Sequence, residues 1–150
     1  MAVLSDRPYR NSNFLVDFGW GDSRSVAAGF SEVIFPPFTA DQADLRQDGS
    51  MTNQAEGSAA PAVNNRLILK RGVTGSLDLY IWWNKARLGK ASKKRTVKIE
   101  LLGDDRSTVV LTWRFRSVRP VSLSYSPLRA VESGIILETI ELAFDSMEMS

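Results

Sequence analysis

The stretch Leu67-Ile-Leu-Lys-Arg-Gly-Val-Thr-Gly75, followed at once by Ser76-Leu-Asp-Leu-Tyr-Ile-Trp-Trp-Asn-Lys-Ala-Arg-Leu88, decides the fold. Its first part is a short β-like run that stops at two glycines. In its second part the apolar residues recur at helical spacing. The sequence therefore predicts a strand that enters a helix, at about residues 76–88, across a tight turn.

The predicted helix has two apolar faces. At about 100° per residue, one stripe contains Leu77, Ile81 and Leu88, and the other contains Leu79, Trp82, Trp83 and Ala86. A single core can bury one stripe, and an exposed tryptophan forgoes about 2 kcal/mol of burial. We therefore expect the tryptophan-bearing stripe to form a subunit interface. Burial of both stripes within one domain is the alternative.

Most of the remaining chain alternates apolar and polar residues, as half-buried strands do. Residues 14–20 and 26–34 predict a first hairpin, whose second strand ends before Pro36 and Pro37. Residues 97–101 and 109–115 predict a second hairpin, because a Gly-Asp-Asp turn lies between them.

Two further strands are expected near the end of the sequence. One covers residues 121–125, beyond Pro120, and the other covers residues 135–144. The last strand has apolar residues on both faces, so it is expected to be central or covered on both sides. Glu138 and Glu141 on this strand would need water or partners.

These elements predict a mainly β fold of about seven strands with one flanking helix. An antiparallel β-barrel, closed or nearly closed, fits best, and an antiparallel two-sheet sandwich is the alternative. We expect one domain over residues 1–150, with a long loop at about 39–65 that lacks large apolar residues. Part of that loop, around residues 41–46, could form an edge strand.

The amino-acid composition argues against several classes of function. The 150 residues include no cysteine and no histidine, which removes disulfides, thiolate chemistry, the usual metal ligand and the usual general base. We expect no catalytic, metal or cofactor site and no enzyme activity. The sequence also shows neither a membrane-spanning run nor a secretory leader, so we expect a protein made in a cytoplasm.

Charge is segregated along the sequence. Residues 1–65 contain 4 basic and 8 acidic side chains, residues 66–119 contain 14 and 4, and residues 120–150 contain 1 and 5. A basic middle between acidic flanks suits a nucleic-acid surface. It also suits docking onto further copies of the chain, and a solvated surface is the simplest interpretation.

Nucleotide-binding motifs are incomplete. Gly19-Trp-Gly21 follows a strand, but Arg24 occupies the place of the third glycine and no helix begins there. The glycines of Lys70–Gly75 lack the lysine and hydroxyl residue that complete a phosphate-binding loop. Both segments are interpreted as turns.

The order of short motifs resembles the tail-tube proteins of contractile phages and of phage-tail-like contractile injection systems. The segment Leu69-Lys-Arg-Gly-Val-Thr-Gly75 is similar to the strand-to-helix signature of that family. The other similar segments are Pro8–Val16, Ala28–Val33, Ile99–Leu102, Trp113–Phe115 with Pro120, and Ile136–Leu142. Together they cover most of the chain.

The resemblance implies a structural subunit that forms six-membered rings, with strands lining a central channel and rings stacking head to tail. The implied partners are further copies of the chain, a sheath protein, baseplate or hub proteins and tube-capping proteins. A protein cargo or DNA would occupy the channel, and no membrane anchor is implied. Such particles are phage tails, tailocins or toxin-delivery devices assembled in a bacterial cytoplasm.

The chain departs from the family pattern in residues 39–65. Family members typically have an acidic-aromatic strand with a double glycine and then a Leu-Pro-Gly element, where this chain has Asp44-Leu-Arg-Gln-Asp-Gly-Ser50 and Pro61. In the family this region helps to contact the next ring, so Asp44, Arg46 and Asp48 are further candidate interface residues. A specialised tube-initiator or adaptor ring near the baseplate is one alternative function, and a nucleic-acid-binding β-barrel is another.

Overall fold

The computed structural model describes residues 1–19, 29–40, 66–89 and 94–150. In these ranges the chain forms seven strands and one helix. They are β1 (Phe14–Asp17), β2 (Phe30–Ile34), β3 (Arg66–Gly72), α1 (Asp78–Arg87), β4 (Arg95–Leu102), β5 (Val109–Tyr125), β6 (Leu137–Ala143) and β7 (Ser146–Met149).

The strands form two antiparallel sheets that share β5. Sheet 1 contains β1, β4, the first part of β5 and β7 in that order. Sheet 2 contains the second part of β5, then β6, β3 and β2. The mainly β, antiparallel fold with one helix is thus confirmed. The described strands do not close into a barrel, because β1 and β2 lie at opposite ends of the strand order.

Strand β5 changes sheets near Ser117. Arg116 is opposite β7, whereas Arg119 is opposite β6. Between them Ser117 has a φ of 58°, a left-handed conformation that is uncommon for residues other than glycine. A register shift follows between Pro120 and Ser122. These irregularities redirect the strand, so that one segment serves both sheets.

The separate strand predicted beyond Pro120 is wrong, because Pro120 lies inside β5. Val118 is the last β5 residue opposite β4. Beyond Val118, within the described ranges, β5 pairs on one side alone, with β6. A strand with one unpaired edge tolerates a residue that lacks an N–H donor, which explains how a proline fits there.

The hydrophobic core combines both sheets and α1. Its largest fully buried side chains come from β1, β3, β4, β5, β6 and α1, and include Val16, Leu67, Leu69, Leu79, Val97, Ile99, Phe115, Ile140 and Leu142. Because β6 lies between β5 and β3, its predicted central position is confirmed. Burial alternates along β3 and β6, so one face of sheet 2 packs on the core and the other face does not.

The helix predicted at about 76–88 is confirmed as Asp78–Arg87. At its start, the Asp78 carboxylate accepts a hydrogen bond from the Leu79 N–H at 2.7 Å. At its end, the Leu88 N–H donates to the Asn84 carbonyl at 3.0 Å. Gly89 then adopts a φ of 73°, the left-handed conformation in which a residue after a helix end is commonly glycine.

Of the two predicted hairpins, the β4–β5 pair is confirmed. In its turn, the Asp105 carboxylate accepts hydrogen bonds from the Thr108 hydroxyl and from the N–H groups of Ser107 and Thr108. These bonds hold the pKa of Asp105 well below its usual range. The predicted pairing of the first two strands is wrong, because β1 pairs with β4 and β2 pairs with β3.

Candidate functional site

Two of the predicted interface residues lie inside the chain's own core. Leu79 is fully buried and Trp82 is 5% exposed. The Trp82 ring meets the Phe18 ring edge-on, with centroids 5.6 Å apart. Their assignment to a subunit interface is therefore corrected: these two side chains attach α1 to the sheets and are inaccessible to another molecule.

The other two members of that stripe lie at its margin. Trp83 and Ala86 are half-buried. The Trp83 ring lies 6.3 Å from the Tyr80 ring, and the Arg87 guanidinium lies over it at 5.4 Å from the centroid. Trp83 thus keeps one accessible side next to a cation. It stays a candidate interface residue, as does Ala86.

The second apolar stripe of the helix is the exposed one. Leu77, Ile81 and Leu88 are 62%, 46% and 52% exposed, and we call them the exposed helix stripe. The helix thus has the two apolar stripes that the sequence predicts, and the stripe without tryptophan is the more exposed one. The remaining candidates, Asp44, Arg46 and Asp48, lie outside the described residues.

A buried ion cluster joins the helix to sheet 2. Arg71, in β3, is 4% exposed. Its Nε donates to the Glu138 carboxylate at 2.6 Å, and its guanidinium also donates to both carboxylate oxygens of Asp78, the first residue of α1. These three residues, the ion cluster, explain why an arginine stands in the strand-to-helix segment: it fixes the start of the helix against the sheet.

The ion cluster shifts the ionisation of its members. Burial alone would raise the pKa of Asp78, but its hydrogen bond and ion pair with Arg71 lower that pKa below the ordinary 3.8. For Arg71, burial disfavours the charged form, and the two carboxylates outweigh this and raise its pKa. Both shifts favour the charged forms of Arg71 and Asp78, and in the cluster one guanidinium faces two carboxyl groups.

The cluster is the centre of a row that crosses sheet 2 from edge to edge. Tyr125 is opposite Glu138, Glu138 is opposite Arg71, and Arg71 is opposite Phe30. The Arg71 guanidinium lies 5.4 Å from the centroid of the Phe30 ring. Burial and the neighbouring Glu138 raise the pKa of Tyr125. The sequence indicated that Glu138 needs a partner, but it did not identify Arg71.

Sheet 2 presents two open edges. Within the described ranges, β2 pairs with β3 alone, and residues 119–125 of β5 pair with β6 alone. Both edges carry part-exposed apolar side chains, since Ile34 is 37% exposed and Val121 is 40% exposed. An unpaired edge is a ready template for pairing with another chain.

The face of sheet 2 that points away from the core is charge-balanced and combines polar side chains with two isoleucines. One row across it contains Ser122, Glu141, Ile68 and Ile34, and the next contains Ser124, Thr139, Lys70 and Glu32. Arg66 lies 3.6 Å from Glu141, and Lys70 is directly opposite Glu32. Each cation on these strands therefore has an acidic neighbour.

Several basic residues of the middle segment are likewise paired. Lys98 lies 3.7 Å from Asp17, and Arg119 lies 3.0 Å from Asp145. Arg114 and Arg116 both contact Glu148. Acidic neighbours thus partly neutralise these basic side chains, which does not favour a polyanion-binding surface.

Among the described residues no group of three or more side chains is arranged to hold a metal ion. The described part of the chain also contains no helix long and apolar enough to cross a membrane.

The chain matches a known protein family over most of its length. The profile described as T4-like virus tail tube protein gp19 matches residues 10–148. A search of curated proteins returns no significant sequence relative.

Solved structures with the same fold come from contractile injection systems. A chain of the sheath-tube complex of an extracellular contractile injection system, PVC, is 20% identical with a TM-score of 0.66, over 97% of this chain and 93% of that one. A chain of the PVC sheath/tube terminator is 20% identical with a TM-score of 0.69, over 98% and 99%. A chain of the anti-feeding prophage tube-terminating cap is 18% identical with a TM-score of 0.69, over 100% and 95%. At these identities the likeness shows a shared fold.

Proposed function

The chain belongs to the T4-like virus tail tube protein gp19 family, and from this premise we propose that it is a structural subunit of the inner tube of a contractile injection system or contractile phage tail. Six copies form a ring, and rings stack head to tail into a hollow tube. The whole chain acts as one tail-tube-like domain, because β5 belongs to both sheets.

The observation that carries this proposal is the pair of open edges on sheet 2. Three antiparallel pairings separate β5 from β2, so the two edge strands run in opposite directions. When the β5 edge of one copy meets the β2 edge of the next, the new pair is therefore antiparallel as well. Such a head-to-tail contact uses two different surfaces and closes into a ring when the rotation between copies allows it.

The charge-balanced face of sheet 2 lines the channel in this arrangement. The opposite face is covered by the core, which leaves the rows through Ser122 and Ser124 as the surface turned to the ring axis. The wall then consists of hydroxyl groups, balanced charges and the aliphatic side chains of Ile68 and Ile34. Such a wall offers no field of a single sign to a transported molecule.

The proposed partners follow from the role as an inner-tube subunit. A surrounding sheath, a baseplate or hub and a tube-capping protein contact the tube, and the channel holds a protein cargo or DNA. Tube, terminator and cap proteins share this fold, so a specialised ring near one end of the tube is the alternative role. We place assembly in the bacterial cytoplasm, within a phage tail or phage-tail-like particle.

Disulfide trapping tests the ring, because the natural chain contains no cysteine. The variant Ser31→Cys with Ser124→Cys places one thiol on each open edge of sheet 2. Partial oxidation should give a ladder of covalent oligomers that ends at six subunits. The matched control, Ser5→Cys with Ser107→Cys, uses exposed serines away from both edges and should give no such ladder.

Electron microscopy of the wild-type protein, alone and coexpressed with neighbouring gene products, is an independent test of ring formation. Six-fold rings or hollow tubes are expected. Particles that stay monomeric in both preparations, together with an edge variant that behaves like its control, would contradict the proposal. Labelling the protein in assembled particles then separates the shaft role, with signal along the tube, from a ring at one end.

A further inference from the structure

The loop between β5 and β6, residues 126–136, which we call the arm, exposes three aliphatic side chains. Leu128, Val131 and Ile135 are 84%, 95% and 79% exposed. The arm is nevertheless anchored, since the Ile136 carbonyl accepts a hydrogen bond from the Val73 N–H at 3.0 Å. Clustered apolar side chains held in water by an anchored segment are typical of an interaction surface.

The topology places the arm and the start of the helix at the same end of sheet 2. Strands β3 and β5 both run antiparallel to β6, so their C-terminal ends coincide. The arm follows β5, and Val73 and Leu77 follow β3. If β5 pairs with β2 of the next copy, the next β3 lies two strand spacings away, about 10 Å. An arm whose tip lies five residues from its root reaches about 15 Å.

The chemistry of the two surfaces is complementary. Val73 and Leu77 are exposed apolar residues beside the helix start, where the ion cluster has one more carboxylate than cations. The arm supplies a cation, Arg129, which lies 3.6 Å from Glu132 with both side chains mostly exposed. Such exposed pairs are weak, so Arg129 can turn to Asp78, which is 26% exposed.

We propose that the arm of one copy packs on the next copy in the same ring, with Leu128 and Val131 against Val73 and Leu77 and with Arg129 facing Asp78. This inference rests on the proposed ring and adds a second contact to each junction. The edge strands supply main-chain hydrogen bonds, and the arm covers the start of the neighbouring helix. Two separate contacts at one junction fix the angle between copies, which pairing of two edges alone leaves free.

Mixing two single-cysteine variants tests the contact between copies. Leu128→Cys and Leu77→Cys are prepared separately, mixed, allowed to assemble and oxidised. A disulfide between the two variants is expected as the main product, and it cannot form within one chain. Products that join each variant only to itself, or no product at all, would overturn the inference.

Removal of the apolar side chains of the arm gives a second test of the proposed contact. Leu128→Ser with Val131→Ser changes side chains that are already exposed, so the melting temperature of the monomer should stay unchanged. The protein concentration at half-assembly should rise by about 100-fold, because two aliphatic side chains lose their burial. The control, Leu4→Ser, removes an equally exposed leucine in the N-terminal segment and should assemble normally.

The outcomes separate this inference from the proposed ring. If the edge cysteines give the six-subunit ladder while the arm variants assemble like wild type, the arm contact fails and the ring stands. If the arm variants form rings that no longer stack, the arm contacts the next ring instead, which overturns the proposal of a contact within the ring. If wild type forms no rings and no ladder, both fail.

Discussion

Replacing Arg71 by methionine removes the cation of the ion cluster while keeping a side chain of similar length. Glu138, which is 5% exposed, then loses its partner at 2.6 Å, and Asp78 loses the contact that fixes the start of α1. Breaking one side of a buried ion pair costs about 3–5 kcal/mol, because an uncompensated charge is left in the interior. For a chain of this size the melting temperature should fall by about 6–20 °C.

The assay is chemical and thermal unfolding of the monomeric protein, followed by tryptophan fluorescence. Arg66→Met is the matched control on the same strand, since Arg66 is 29% exposed and lies 3.6 Å from Glu141. A pair of that kind contributes about 0–1 kcal/mol. The double variant Arg71→Met with Glu138→Leu should recover much of the lost stability, because the more deeply buried carboxylate is then removed and Asp78, at 26% exposed, keeps contact with water.

Two results would refute this reasoning. One is an Arg71→Met protein that unfolds within about 1 kcal/mol of the Arg66→Met control. The other is a double variant that is no more stable than Arg71→Met alone. Either result would show that the cluster does not hold the helix on the sheet.

Three further predictions concern other contacts. Trp82→Ala should lower the free energy of unfolding by about 3–5 kcal/mol, because Trp82 is buried against Phe18. Trp83 is half-buried, so Trp83→Ala should lower it by less than half as much in the same denaturation assay. Equal losses would contradict the difference in burial between the two side chains. Gly89→Ala should lower the free energy of unfolding by about 1 kcal/mol, because an L residue is strained at a φ of 73°. In Gly134→Ala the new Cβ also meets no neighbouring atom, and this variant should be as stable as wild type. Thermal unfolding compares the two variants. The pKa of Asp78 is lowered in the folded chain, so the contribution of its carboxylate to stability is present above pH 3.8 and is lost as the pH falls further. The stability difference between wild type and Asp78→Asn should therefore shrink on acidification. A difference that stays constant from pH 6 to about pH 2 would count against the ion pair.

The helix and the β4–β5 hairpin were predictable because their signals are local. A change of period at two glycines marks the helix, and alternation around a Gly-Asp-Asp turn marks the hairpin. Which apolar stripe of the helix faces the core was not predictable, since both stripes have helical spacing. The choice is made by Phe18, which packs on Trp82 from a distant part of the chain.

The pairing of β1 was not predictable for a related reason. Sequence neighbours favour a hairpin, but β1 pairs with β4, more than eighty residues later. Such long-range pairing is set by which faces pack together, and alternation within each strand carries no information on the partner. The sequence predicts a strand boundary at Pro120, because it does not show that one edge of β5 is unpaired there.

The sharing of β5 has a consequence for how the subunit opens. The same strand provides ladder partners to β4 and β7 in one sheet and to β6 in the other. Neither sheet can separate from its neighbours without disturbing a strand on which the second sheet depends. Amide hydrogens of the two sheets should therefore exchange with solvent in one common opening event, as a single cooperative unit. In the proposed tube, the two described sheets of a subunit would therefore resist an axial load together, and neither would open before the other.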